Sequence, residues 1–150
     1  MAKAPLSADK GLAVIEAETR AEAFQKSRDD RRTELREDYV ELIADLIEQQ
    51  GEARQTDIAL RLGVTQPTVA KMLKRLAADK LIAQRPYRGV FLTEEGQRLA
   101  AATRRRHEIV EAVLRSLGVD AETARNDAEG IEHHVSEKTL EAFERFLNKA

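Results

Sequence analysis

The chain contains no cysteine, which removes a disulfide framework and any thiolate metal site. A metal held by this protein must take oxygen and nitrogen ligands. Aromatic side chains make up 4% of the 150 residues and charged ones 35%, a balance that fits a helix-rich, water-facing protein better than a β-sandwich. No apolar run approaches the roughly 20 residues that a membrane helix needs. Met1-Ala2-Lys3-Ala4-Pro5 lacks the apolar centre of a signal peptide, so the expected location is the cytoplasm and no membrane is expected among the partners. The length suits one domain of ordinary size, or two small ones sharing a core.

What is present is a charge asymmetry. Residues 54–92 carry eight bases (Arg54, Arg61, Lys71, Lys74, Arg75, Lys80, Arg85, Arg88) against Asp57 and Asp79, a net of +6 that leaves −8 on the rest of a chain whose total is −2. A basic block inside an acidic protein is the electrostatic footprint of a nucleic-acid contact. A solvated charged face is the blander explanation of the charge taken alone.

The order of elements favours the first explanation. Residues 1–33 read as a frayed tail and a helical arm, with weak periodicity from about Leu12 to Phe24. Leu35, Tyr39, Leu42, Ile43, Leu46 and Ile47 recur at three- and four-residue steps, an amphipathic helix that stops at Gly51. A short helix over about 55–62 would bury Ile58, Ala59 and Leu62. Gly63-Val64 would turn the chain, and Thr65 would cap a second helix with Pro67 in its first turn, where the missing N–H costs nothing. Val69, Met72, Leu73 and Leu76 give that helix its buried stripe. This is a helix-turn-helix. Leu81-Ile82-Ala83 and Val90-Phe91-Leu92 come next as short strands around a Pro- and Gly-containing turn, which makes a basic wing. Thr93 would cap a long helix to about Leu117. Asp120 and Ser136 would start two more. The expected fold class is mainly α with a small β wing: a winged helix-turn-helix DNA-binding domain plus a helical dimerisation domain.

The major groove admits one helix, and the N-terminal residues of a recognition helix reach base edges. Here those residues are Thr65, Gln66, Pro67 and Thr68, with Lys71 one turn on. Gln66 can pair with an adenine edge, Lys71 can reach guanine or phosphate, and the threonine and proline carbons can meet thymine methyls. Arg88, with Lys74, Arg75 and Arg85, is better placed for phosphates, which set position rather than sequence. Tyr87 is expected to pack at the base of the wing.

The second constellation is acidic. Glu129, Glu132 and His133 stand at i, i+3 and i+4, so one helix would present all three from one face. Asp38 and Glu41 repeat the i, i+3 spacing, and His107 lies in a third helix. Taken singly, each acid reads as a surface carboxylate, and His107 as a partner of Glu108 or Glu111. Taken together, four carboxylates meeting inside a bundle would repel and resist desolvation unless a cation neutralised them. His134, about 100° round the helix from His133, should face outward. Oxygen and imidazole ligands suit Mn²⁺, Fe²⁺ or Zn²⁺, and carboxylate-rich, higher-coordinate sites fit Mn²⁺ best.

Several motifs then carry a resemblance over residues about 35–148: Asp38-Tyr39-Val40-Glu41, the run from Val64 to Met72, the run from Tyr87 to Thr93, Arg106-His107-Glu108, and Asp127 to His134. With these the chain resembles the diphtheria toxin repressor family, in its manganese transport regulator branch. The resemblance implies a homodimer with two winged-helix heads on a helical dimerisation domain, and a binuclear manganese site, two Mn(II) ions per subunit, with ligands mapping to Asp38, Glu41, His107, Glu129, Glu132 and His133. Iron-responsive relatives carry methionine and cysteine where this chain has Asp38 and Glu129, which favours the manganese branch. So does the absence, up to Ala150, of the SH3-like domain of the iron branch.

The expected organisation is an N-terminal arm (1–33), a winged head (34–100) and a helical metal-binding and dimerisation domain (101–150). The expected function is manganese-responsive repression of manganese-uptake genes at a palindromic operator in double-stranded DNA, with no small-molecule substrate. A winged-helix regulator answering iron, zinc or a small organic ligand is the alternative. A di-metal enzyme is disfavoured, because such bundles carry two Glu-x-x-His motifs and this chain has none.

Overall fold

The computed structural model of the protein describes residues 8–149. Its elements are α1 (Ala8–Gln50), α2 (Gln55–Leu62), α3 (Gln66–Ala78), β1 (Ile82–Arg85), β2 (Gly89–Leu92), α4 (Glu94–Ser116), α5 (Ala121–Ile131), a 3₁₀ turn (Glu132–His134) and α6 (Glu137–Lys149). The part of the expected frayed tail that falls on residues 1–7 lies outside the described residues. The arm and the adjoining amphipathic helix prove to be one helix rather than two segments. The physical reason is that no glycine or proline interrupts the chain between Gly11 and Gly51. Gly51 ends the helix at φ +80°, and its N–H donates to the Ile47 carbonyl at 2.8 Å.

Two compact units are present, residues up to Thr33 and residues from Glu34 onward. The first is held by local contacts along one helix, such as Gln25 Nε2 donating to Asp29 at 3.0 Å, and it leaves Val14, Ile15 and Phe24 exposed.

The second unit contains the reading module. Its core joins Tyr39, Val40, Ile43 and Leu46 of α1 to Ile58 of α2, Val69, Leu73 and Leu76 of α3, Ile82 and Val90 of the wing, and Ala100 of α4. Leu35, expected on the same stripe, is exposed. Gly63 takes the left-handed conformation that ends α2. Thr65 caps α3 by accepting from the Thr68 N–H. The wing strands pair antiparallel, Ile82 opposite Leu92 and Arg85 opposite Gly89. A third stretch joins them where the Val90 N–H donates to the Ala53 carbonyl at 2.8 Å. A Cβ on Gly89 would lie 2.5 Å from that carbonyl oxygen, so only glycine allows the approach.

Tyr87 does not pack at the wing base. It is fully exposed at the turn, with φ +64°. A four-residue strand against another of four leaves no room beneath the tip for an aromatic ring.

Thr93 fastens the wing to α4. Its hydroxyl donates to the Lys80 carbonyl at 2.6 Å and accepts from the Gly96 N–H at 3.1 Å, which caps the helix. Helix α4 then runs through the expected domain boundary at residue 100. Beyond it, Ile109, Val110 and Val113 are buried along with Ala124 and Ala128 of α5 and Leu140 of α6. No helix among the described residues is long and apolar enough to cross a membrane.

Candidate metal centre and nucleic-acid interface

Three stretches of the second unit bring acids and imidazoles together: Glu34, Glu37, Asp38 and Glu41 from α1, His107 and Glu111 from α4, and Glu129, Glu132 and His133 from the end of α5 and the turn after it. The spacing of Glu129, Glu132 and His133 predicts one α-helix for all three. Instead α5 stops at Ile131 and the chain tightens into 3₁₀ geometry over Glu132–His134, a common way for a last turn to end. The tightening still leaves all three in the cluster.

Among the described residues, two groups could each hold a cation: Glu34, Asp38 and His133, and His107, Glu129 and Glu132. His107 Nδ1 lies 3.5 Å from Glu129 Oε1 and 3.0 Å from Glu132 Oε2. His133 Nε2 lies 3.0 Å from Asp38 Oδ1 and 3.4 Å from Glu132 Oε1. Glu132, fully buried, thus stands between the two imidazoles with one oxygen toward each. Glu41 belongs to neither group. It is half-buried beside a cavity of about 300 Å³ lined also by Asp38, Leu42, Asp45, Leu62 and Glu129.

These contacts are close but misaligned for hydrogen bonding. His107 Nδ1, His133 Nε2 and both oxygens of Glu132 are buried without a hydrogen-bond partner. Buried polar atoms are nearly always paired, so four orphaned lone-pair donors facing one another, from three chain stretches, fit a divalent cation. Hard oxygens with borderline imidazole nitrogens suit first-row divalent ions.

The same crowding shows in the acid–base balance. Burial, then the charge of Glu41, pushes the Glu132 carboxyl up to about 8. Glu41 is raised by burial and by Glu129 and Asp45. Burial alone would lower His133, but the carboxylates of Asp38 and Glu37 outweigh it and raise the imidazole to about 10. Glu37 moves the other way: burial opposes its charge, yet His133 and Arg106 hold it below the usual carboxylate range.

Four residues of this neighbourhood are not apparent as cluster members from the sequence: Glu34, Glu37, Arg106 and Glu111. Glu37 is 3% exposed and accepts from Arg106 and from His133 Nδ1, each at 2.7 Å. Its position one turn before Glu41 is the available signal, masked by a run of charges from Glu34 to Asp38. The ordinary pairing of His107 with Glu111 holds at the same time as the cluster, with Nε2 and the carboxylate 3.1 Å apart, while Glu108 stays exposed. His134 faces outward as expected, half-exposed, with Nε2 3.4 Å from Glu34.

In the same unit, Thr65, Gln66, Pro67, Thr68 and Lys71 are all exposed at the start of α3, as is Arg88 beside the wing tip. The Thr65 and Thr68 hydroxyls are bonded to each other at 2.9 Å, and the Gln66 carbonyl accepts from Gln55 Nε2 at 3.1 Å, which leaves the Gln66 amide unengaged by that contact. Arg85 lies over the Phe91 ring, 5.2 Å from its centroid.

Comparison with known proteins falls on these same two regions. Residues 32–90 match the model described as iron dependent repressor, N-terminal DNA binding domain, and residues 93–150 match iron dependent repressor, metal binding and dimerisation domain. The chain belongs to the iron dependent repressor family. It is 58% identical over 143 residues to the transcriptional regulator MntR of Escherichia coli O6:H1, covering 95% of this chain and 92% of that one. It is 44% identical over 105 residues to the HTH-type transcriptional regulator MntR of Bacillus subtilis strain 168, covering 70% and 74%. Among solved structures, the manganese regulator SloR superposes with a TM-score of 0.67 at 33% identity, over 77% of this chain. This chain spans about half the length of SloR, 54%. The junction between the two family regions falls at residues 90–93, between the end of the wing and the Thr93 cap of α4.

Proposed function

We propose that this protein is a manganese-responsive transcriptional repressor, in which the acid–imidazole cluster holds the metal and the α3–wing face holds DNA. The names of the relatives support manganese: the MntR regulators in sequence and the manganese regulator SloR in fold. The observation that carries the metal reading is the set of buried, partnerless donors on His107, Glu132 and His133. Asp38, Glu41 and Glu129 complete the ligand set, enough for two ions per subunit. The working form is a homodimer on a palindromic operator of manganese-uptake genes. Residues 34–100 form its head, 101–150 its metal-binding and dimerisation part, and 1–33 an arm.

A bound divalent ion supplies positive charge that offsets the clustered carboxylates. The chain's own residues convert that into a change at the head. Asp38 and Glu41 alternate along α1 with Tyr39, Val40 and Ile43, which are core residues of the head. Without metal, Glu129 repels Asp38 and Glu41 on the acidic side of α1 while Glu132 is held protonated, and α1 and α4 are joined by pairs such as Arg104 with Asp45 at 2.5 Å. When the carboxylates are neutralised, α1 is drawn onto α4 and α5. The dimer then favours a head spacing that matches successive major grooves, about 34 Å apart. Coupling of this kind is reciprocal, so DNA tightens metal binding by the same factor. At the head, Thr65, Gln66, Pro67, Thr68 and Lys71 meet base edges and Arg88 a phosphate.

Metal analysis of the purified protein, paired with a gel shift on operator DNA with and without Mn²⁺, Fe²⁺ or Zn²⁺, tests the reading. Binding that needs Mn²⁺ and a metal content above one ion per subunit are the expected results. Operator binding indifferent to every metal overturns it.

A further inference from the structure

Glu37 is a carboxylate buried to 3% exposure, and it does not face the cluster of partnerless donors. Its two oxygens are both occupied elsewhere. Oε2 accepts from His133 Nδ1 at 2.7 Å, and Oε1 accepts from Arg106 at 2.7 Å. The Arg106 side chain is itself largely buried, at 17% exposure. The guanidinium can only donate, so it claims an acceptor on Glu37 without alternative. The other ring nitrogen of His133, Nε2, is one of the partnerless atoms and points toward Asp38 and Glu132.

We propose that Glu37 is a positioning residue for the metal centre: by accepting the Nδ1–H of His133 while Arg106 fixes its other oxygen, it keeps His133 Nε2 aimed into the cluster as the nitrogen that gives up its proton to a metal. This rests on the metal-dependent function proposed for the chain. An imidazole can ligate only through an unprotonated nitrogen, and the hydrogen bond at the far nitrogen decides which one is free. Glu37 belongs to α1, Arg106 to α4 and His133 to the turn after α5. The bonded triad therefore also places the ring relative to two helices that supply other members of the cluster.

The neighbouring guanidinium makes the role testable with an isosteric change. In Glu37→Gln the amide has one acceptor and one donor end. Arg106 takes the oxygen, so the NH₂ group turns toward His133 and demands an acceptor at Nδ1. The Nδ1 proton is then lost, and the proton on Nε2 stays facing the cluster. Metal affinity should fall by about 10–100-fold, the usual cost of losing such an outer partner, although size and burial are unchanged. Adding Arg106→Met frees the amide to rotate its oxygen back to Nδ1–H. The double variant should therefore bind metal more tightly than Glu37→Gln alone.

The experiment is calorimetric titration of Mn²⁺ into wild type, Glu37→Gln, Glu37→Gln/Arg106→Met and His107→Ala. Long-range ¹H–¹⁵N spectra of the metal-free proteins accompany it. Circular dichroism confirms the fold of each variant. The expected spectra show a proton on His133 Nδ1 beside one on Nε2 in wild type and in the double variant, and a proton on Nε2 alone in Glu37→Gln. Weak binding by Glu37→Gln that the second substitution restores supports the assignment. Loss in His107→Ala with no change in Glu37→Gln overturns the positioning role alone and leaves the metal centre standing. Unchanged binding in both overturns the metal centre and this inference with it. If Glu37→Gln fails to fold, the His133 nitrogen that loses its proton when Zn²⁺ is added to wild type decides: Nδ1 overturns the role, and Nε2 supports it.

Discussion

His107 Nδ1 and Glu132 Oε2 lie 3.0 Å apart, buried, and neither has a hydrogen-bond partner. Two lone-pair-bearing atoms held that close, without the alignment to share a proton, form a contact that a cation completes. Removing either member should therefore damage metal binding more than folding. His107→Ala, Glu129→Ala and His133→Ala should each weaken Mn²⁺-dependent operator binding by at least the tenfold or so that loss of an outer partner costs. Dimerisation, followed by analytical ultracentrifugation, should be near normal. Metal-stimulated gel shifts equal to wild type in all three variants would remove these residues from the centre.

Metal uptake should release protons at neutral pH. With Glu132 raised to about 8 by burial and by Glu41, the metal-free protein holds a proton there at pH 7, which a ligating carboxylate must lose. His133, raised to about 10 despite burial by the carboxylates of Asp38 and Glu37, adds a second. Manganese affinity should rise between pH 6 and 8. Calorimetry in buffers of different ionisation enthalpy should report net proton release of about two per subunit when both sites fill, on the order of the groups that titrate. A binding heat independent of buffer contradicts this.

Stability of the metal-free protein should move in the opposite sense over the same range. Glu132 and His133 both have folded values above their unfolded ones of 4.5 and 6.5. Each contributes stability that is complete below its unfolded value and is lost as pH rises, through about 8 for Glu132 and about 10 for His133. Glu37, held low by His133 and Arg106 against the effect of burial, does the reverse. Its contribution is present above its unfolded value of 4.5 and vanishes as pH falls through the depressed one. Urea midpoints measured in chelator should therefore be highest in mildly acidic to neutral solution and decline toward pH 10. A midpoint that climbs from pH 7 to 9 would be inconsistent with a protonated Glu132.

The junction between wing and α4 should tolerate no side chain at residue 96. A Cβ on Gly96 would sit 2.1 Å from the Leu81 carbonyl oxygen and 3.2 Å from a Leu92 methyl. Gly96→Ala should cost about 1–3 kcal/mol, the usual range for forced overpacking, read as a lower melting temperature. Gly130→Ala, on a helix with nothing within 4 Å of the added carbon, is the matched control and should not destabilise.

At the DNA face, Lys71→Ala should lower both operator affinity and discrimination among sequences. Arg88→Ala should weaken binding to all sequences alike and reduce the slope of log affinity against log salt by about 1. Parallel salt titrations of the two variants and wild type check both. Identical slopes for Arg88→Ala and wild type would count against a phosphate contact.

Much of this molecule can be read from the chain because its local signals agree. Thr65 and Thr93 cap the helices expected of them, and Gly63 turns as a left-handed residue must. The stripe Val69, Met72, Leu73, Leu76 is buried as its spacing predicts. The six metal-ligand candidates come from stretches that do converge, because i, i+3 pairs of acids in otherwise amphipathic helices signal a shared face. Three features have no such local signal. The continuity of α1 depends on the absence of a breaker, which weak periodicity obscures. Tyr87 is apolar in character, yet the shortness of the wing leaves it nothing to pack on. Glu37 looks like its charged neighbours on either side, and only the approach of Arg106 from far along the chain buries it. Burial of a charge by a distant partner is a tertiary fact with no local signature.

Helix α1 interleaves two duties within about two turns: Glu37, Asp38 and Glu41 belong to the acid–imidazole cluster, while Tyr39, Val40 and Ile43 belong to the core under the reading module. Successive side chains are about 100° apart on a rigid rod, so neither set can shift without carrying the other. The molecule needs no flexible relay between sensor and reader, because one stretch of backbone is the floor of the first and the wall of the second. Its sensitivity is therefore set by side-chain packing around this short stretch, and a substitution at Val40 that touches no ion and no base should detune the response.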